Sequence, residues 1–184
     1  WKDLLDPKWR NVMSCKQATS GTQFVQWYEL KRLYGDEFWQ AFAKQRPHAF
    51  DSRAQLFDRL AKGDDKVCGM AEWAGYELIR SRGAKVKFVA PPDGLPATVT
   101  AAGIVSKAAH PEAAKLFLDW LMTRGQVIYQ SNEFFLYPSL AKNPPPMPGG
   151  MKLSDFKVLY PQDVQAFAAS HAAFVKEWNG MMGL

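Results

Sequence analysis

A chain of 184 residues, 47% hydrophobic and 22% charged, can bury one sizeable core or two small ones, which excludes a disordered or fibrous protein. Its formal charge of +5 and pI near 9.2 rest on basic residues scattered singly or in pairs such as Lys31 and Arg32, a basic solvated surface that argues against a nucleic-acid partner. No apolar run approaches the roughly 20 residues of a transmembrane helix.

The sequence starts at Trp1, with no initiator Met, charged leader or apolar signal core ahead of it, so either processing or truncation is expected to have set this start. "NVMSCKQ" (11–17) reads as a short buried strand. "ATSGTQFVQW" (18–27) then places Ser20, Gly21 and Thr22 at the mouth of a helix. Ser and Thr are good N-caps, and a glycine lets a ligand approach the unpaired N–H groups of the first turn. The stretch is therefore either an ordinary cap or an anion cradle.

Phe24, Trp27, Tyr28 and Tyr34 recur at helical spacing over 20–34, and Phe38, Trp39 and Phe42 over 36–45, predicting two amphipathic helices. "FDSRAQLFDRLAKGD" (50–64) offers Asp51 or Ser52 as cap, Leu56, Phe57 and Leu60 as buried face and Gly63 as stop. "KVCGMAEW" (66–73) predicts a strand, 74–82 a short helix ended by Gly83, and "AKVKFVA" (84–90) a strand closed by "PPDGLP". Strand and helix alternate, which predicts an α/β layer with parallel strands and a ligand site at strand C-termini beside helix N-termini.

Further on, "TVTAAGIVSKAA" (98–109) reads as a long strand, and the helix beginning at "HPEAAK" has Pro111 at its first position. Leu116, Phe117, Trp120 and Leu121 give that helix a wide apolar face. A Pro- and Gly-rich crossing loop runs over 134–161. A last helix over 162–182 carries Val164, Phe167, Phe174 and Trp178 as expected core positions.

Catalytic arrangements find little support. Cys15 with His48 would supply a thiol and a base, but no elbow or third orienting residue accompanies them. His48, His110 and His171 stand apart from one another, so no metal site is expected, and Asp64 with Asp65 reads as a solvated turn. Cys15 and Cys68 match no metal or redox spacing; both are expected in buried strands as small core residues, not as a disulfide.

Four segments in register carry a family resemblance: "WKDLLDPKWRNVMSC", "ATSGTQFVQW", the run from Phe50 to Ala97, and "AAGIVSKAAHPEAAKLFLDWLMTRGQ", followed by the tail "FKVLYPQDVQAFAASHAAFVKEWNGMM". The whole chain resembles the C-terminal part of periplasmic solute-binding proteins of ABC importers, of the type II kind related to ferric-ion, polyamine and phosphonate binders. The resemblance implies a periplasmic-binding-protein type II lobe, with a mixed, mostly parallel sheet flanked by helices and an incomplete first lobe. It implies a second-lobe α/β core over 1–92, a segment over 93–135 that crosses to the first lobe, and a return with the C-terminal helix over 136–184. It also implies a periplasmic location, a small-molecule ligand, ABC permease subunits as partners and no cofactor.

On that resemblance the ligand-binding candidates are Ser20, Gly21, Thr22, Ser52, Arg53, Trp73 and Tyr137. The Ser and Thr positions would point donors at an oxyanion, Arg53 would supply a bidentate charged contact, and Trp73 would stack on or wall off an organic ligand. Ferric binders of the family carry adjacent tyrosines where this chain has Glu72, Trp73 and Ala74, with Tyr76 alone, which sets Fe(III) behind a small anionic or organic ligand. An enzyme such as a hydrolase on an α/β scaffold is the alternative class. The apolar face within 98–131 is expected to need cover, and a homodimer through that segment would provide it.

Overall fold

The computed structural model describes residues 1–17, 19, 21–69, 71–98, 101–133 and 150–184. It divides into two units, one of residues 1–98 with 156–184 and the other of residues 99–155.

The first unit is built on three short parallel strands: β1 (Met13–Lys16), β2 (His48–Phe50) and β3 (Val67–Cys68), in the order β2-β1-β3. Ser14 pairs with His48 on one side and with Cys68 on the other, so β1 is central. Alternation along each strand sorts the side chains. Met13, Cys15, Ala49 and Val67 belong to a core shared with Phe24, Trp27, Leu30, Trp39, Phe42, Phe174 and Trp178. Phe50 and Cys68 belong to a second core around Leu56, Phe57 and Ile79. The sheet is thus the middle layer between two groups of helices.

The first group contains α1 (Gly21–Lys44), α6 (Val164–Ala169) and α7 (His171–Met182). Helical geometry in α1 fails at Gly35, whose φ of 73° and ψ of −172° are open to glycine and closed to residues with a Cβ. The two helices expected over 20–34 and 36–45 therefore exist, joined at this kink, with Lys31 bridging it to Asp36 at 2.7 Å. Phe24 stacks on Phe167 at 4.3 Å, and Trp39 meets Trp178 edge-on at 5.2 Å, so aromatic contacts join the first helix to the last two.

The second group contains α2 (Arg53–Lys62) and α3 (Trp73–Ser81). α2 starts at Ser52, whose hydroxyl accepts from the Gln55 N–H, and stops at Gly63 in the left-handed region, as its sequence predicts. α3 crosses close to α2 because Gly75 has no side chain: a Cβ there would lie 1.9 Å from the Phe57 ring. A further parallel pair, β4 (Leu95–Pro96) with β5 (Val158–Leu159), completes this unit, and the Trp1 indole N–H donates to the Gly94 carbonyl at 2.8 Å.

Several expectations are corrected. Residues 84–90 form no ladder: Ala84, Val86 and Phe88 are half-buried while Lys85, Lys87 and Val89 are exposed, so the period of two records one-sided packing against α3 without a paired neighbour. The last helix is two, because the Ser170 hydroxyl donates to the Ala166 carbonyl at 2.6 Å and tightens that turn. Val164, in the first turn of α6, is exposed and not core. Cys68 is half-buried rather than buried; it stands beside Ser14, and no disulfide joins it to Cys15.

In the second unit Pro111 opens α4 (Pro111–Trp120), as expected, and the chain continues through a wide turn at Leu121–Gly125 into α5 (Gln126–Glu133). The Thr123 hydroxyl donates to the Asp119 carbonyl inside that wide turn. The described residues of the strand expected over 98–109 form no ladder, since none of the observed strand pairs includes them. Leu116 is 72% exposed and Phe117 56%, so the apolar face of α4 is open.

Candidate functional site

The strand order fixes where a site can form. From β1 the chain crosses to β2 through α1 on one face, and from β2 it passes over β1 to β3 through α2 on the other. The loop leaving β1 and the loops leaving β2 and β3 therefore diverge to opposite faces. In open parallel sheets, the crevice opened by such a reversal is where ligands settle, beyond the strand C-termini. The N-terminal turns of α1, α2 and α3 all open onto this edge, each with N–H groups that have no partner within the helix.

The predicted residues sort clearly. Gly21 is the exposed first residue of α1, and a Cβ built on it meets nothing within 4 Å, so the space beside it is open among the described residues. Thr22 follows it, half-buried. Ser52 and Arg53 open α2, and Trp73 opens α3. Gly21, Thr22, Ser52, Arg53 and Trp73 thus stand on one edge of one sheet. Ser20 and Tyr137 lie outside the described residues.

Side-chain contacts refine these roles. The Ser52 hydroxyl is engaged as a helix cap, at 3.4 Å from the Gln55 nitrogen. The Arg53 guanidinium lies 3.4 Å from the Glu72 carboxylate, which precedes α3, so its charge is partly neutralised by a neighbouring loop. Trp73 packs against Phe88 at 4.8 Å and Tyr76 at 5.4 Å, with Phe156 beyond; most of its ring serves an aromatic cluster, while its indole N–H is buried with no acceptor among the described residues. Gln23, in the first turn of α1, is fully buried and neither amide atom has a partner among the described residues.

Lys16 was not anticipated, and Asp51 was expected only as an alternative cap of α2. Lys16 ends the central strand, and its ammonium donates to the Asp51 carbonyl oxygen, while the Thr19 hydroxyl donates to the Asp51 carboxylate at 3.3 Å. Asp51 thereby ties the loop before α1 to the loop before α2. A lysine closing the buried run "MSCK" was the available signal.

The catalytic alternative loses its geometry. His48 pairs with Ser14, whereas Cys15 pairs with Ala49, so the imidazole and the thiol project from opposite faces of the sheet. Burial also pushes the Cys15 thiol far above its usual pKa, which removes the thiolate. Asp65 is no solvated turn residue. It is buried, with His48 Nδ1 at 2.7 Å and Arg59 Nε at 2.7 Å. Burial works to raise the Asp65 pKa, and the hydrogen bonds from Arg59 and His48 outweigh it, leaving the carboxyl below its ordinary value.

Comparison with known proteins bears on what this edge is for. The family model described as bacterial extracellular solute-binding protein matches residues 1–134. The chain belongs to this family. Membership makes it a binding protein and not an enzyme, so the hydrolase alternative falls. Among solved structures this solute-binding chain is similar to iron-bound HitA from Pseudomonas aeruginosa, with a TM-score of 0.74 and 16% sequence identity over 95% of its length. At that identity the likeness is one of fold. The chain spans 59% of the length of HitA. No curated protein matches the sequence.

Proposed function

We propose that this chain is part of a periplasmic solute-binding component of an ABC importer, which captures a small anionic or organic ligand and delivers it to permease subunits. The observation that carries this reading is the meeting of three helix N-termini at the reversal of strand order, with the space beside Gly21 at the first of them open among the described residues. The N–H groups and Thr22 hydroxyl of α1 would hold an oxyanion, with Ser52 and Arg53 from α2 and Trp73 from α3 bounding the ligand. Arg53 would exchange its contact with Glu72 for the ligand. Ser20 and Tyr137 stay in the proposed set on the family resemblance alone.

HitA holds iron, which makes Fe(III) the second reading. The chemistry of this edge favours the oxyanion, because hard Fe(III) wants several anionic oxygens and Tyr76 packs here against Trp73 and Phe88. The expected homodimer through residues 98–131 gains no support from the comparisons and rests on the open face of α4 alone.

A thermal-shift screen of phosphonates, carboxylates, polyamines and Fe(III) tests the reading. A ligand at a hundred times its dissociation constant stabilises by about 2.7 kcal/mol. Thr22→Val should then weaken binding of the best anion about tenfold, the scale of one hydrogen bond to a charged group. An equal affinity for parent and variant, or stabilisation by Fe(III) alone, would refute the oxyanion assignment.

A further inference from the structure

The opposite edge of the same sheet holds a second feature. Arg10 precedes β1 and Arg46 precedes β2, and the two loops are clamped together by the Asn11 N–H donating to the Gln45 carbonyl at 2.9 Å. Because β1 and β2 are parallel, both arginines flank strand N-termini, on the other side of the sheet from Gly21 and Ser52. The four residues of β1 separate the two edges by roughly 13 Å. Between the arginines and the end of α1 lies an open groove of about 520 Å³, lined by Arg10, Gln40, Ala43, Lys44, Arg46 and Met181. No carboxylate lines it.

Half of the residues lining this groove are cations. Arg32, Arg53, Arg59 and Arg80 each face a carboxylate within 3.4 Å, and Lys8, Lys31, Lys62 and Lys115 are paired at shorter range. Arg10, Lys44 and Arg46 enter no ion pair among the described residues. Lys44 ends α1 and the Arg46 N–H donates to the Ala43 carbonyl at 2.9 Å, so the C-terminal end of that helix favours both cations. Arg10 follows the single helical turn Pro7–Trp9 and adds its charge from the other loop, while Arg46 stands on a left-handed backbone at φ 53°. Three like charges around one concavity repel one another unless an anion lies between them.

We propose that this groove is a second binding site, for a small polyanion bearing two or more phosphate-type groups. Guanidinium forks match phosphate oxygens in a bidentate way, and the ammonium of Lys44 supplies a third contact. A concavity of this volume suits a small molecule, whereas a flat bilayer would engage a protruding basic face. The site is separate from the proposed ligand edge and stands whether or not that edge binds an oxyanion.

Calorimetric titration of the chain with inorganic pyrophosphate at low salt tests it. Binding should weaken steadily as salt is added, because the contacts are exposed charges. The double variant Arg10→Gln with Arg46→Asn should bind at least tenfold more weakly; asparagine tolerates the left-handed backbone, and circular dichroism confirms the fold. Lys44→Gln, on an exposed helix position, should weaken binding several-fold and serves if the double variant does not fold. Thr22→Val should at most remove a separate pyrophosphate binding event at the proposed ligand edge and keep the one that depends on Arg10 and Arg46. Three results would overturn the proposal: variants that bind like the parent, loss of all binding in Thr22→Val alone, or binding of the parent to phosphatidylglycerol vesicles with no response to pyrophosphate.

Discussion

Gly75→Ala should destabilise the first unit even though alanine is the better helix former. The position lies inside α3, where the added methyl gains about 0.5–1 kcal/mol of helix propensity. Against that gain stands the Phe57 ring, whose Cε2, Cζ and Cδ2 atoms lie 1.9, 2.3 and 2.6 Å from the new Cβ. Contacts that short must be relieved by moving the ring or the helix. Phe57 is 5% exposed in the core it shares with Leu56 and Ile79, so its ring has little room to move. Overpacking of a well-filled core costs roughly 1–3 kcal/mol. Contacts this short put the cost in the upper half of that range, so the net expectation is a loss of about 1–2.5 kcal/mol, read as a lower urea midpoint with an unchanged slope. Phe57→Leu costs stability by itself, yet in the Gly75→Ala background it should cost less, because the smaller side chain vacates the space. A Gly75→Ala protein as stable as the parent, or additive losses in the double variant, would show that α2 and α3 do not approach as closely as described.

Asp65 gives a pH dependence of definite sign. Its folded pKa lies below the ordinary 3.8, so its contribution to stability is complete above that value and fades as pH falls through the lower folded one. Asp65→Asn should cost about 3 kcal/mol at neutral pH, the scale of breaking a buried charge network, and should flatten acid denaturation followed by circular dichroism; an unchanged acid limb would refute the assignment. Thiol titration of the unfolded chain without reductant should find two reactive groups, and in the native protein Cys15 should react far more slowly than in the unfolded one; a count of zero would mean the cysteines are bridged. Leu116→Lys, on the open face of α4, should change stability by less than about 0.5 kcal/mol, and light scattering should show less self-association than in the parent. Equal self-association would remove α4 from any contact between copies.

Local chemistry was sufficient for much of the fold. Ser52 and Gly63 bracket α2 because a hydroxyl and a left-handed glycine satisfy helix ends wherever they occur, and Gly35 divides α1 because glycine alone adopts that backbone. The alternation Met13, Ser14, Cys15 similarly foretold a buried central strand, and strand–helix alternation placed Gly21, Thr22, Ser52, Arg53 and Trp73 at helix openings. What the sequence could not specify depends on partners distant in the chain. Residues 84–90 alternate as a strand does, yet a ladder needs a neighbour, and their half-buried side chains instead pack against the core around Leu56, Phe57 and Ile79. Asp65 reads as a loop acid until Arg59 and His48 close on it. The order β2-β1-β3 brings the three helix openings to one edge and sets Arg10 beside Arg46 on the other, and neither arrangement is written in any single segment. Caps and periodicity are decided within a few residues, whereas strand order is decided by which apolar faces can be buried together.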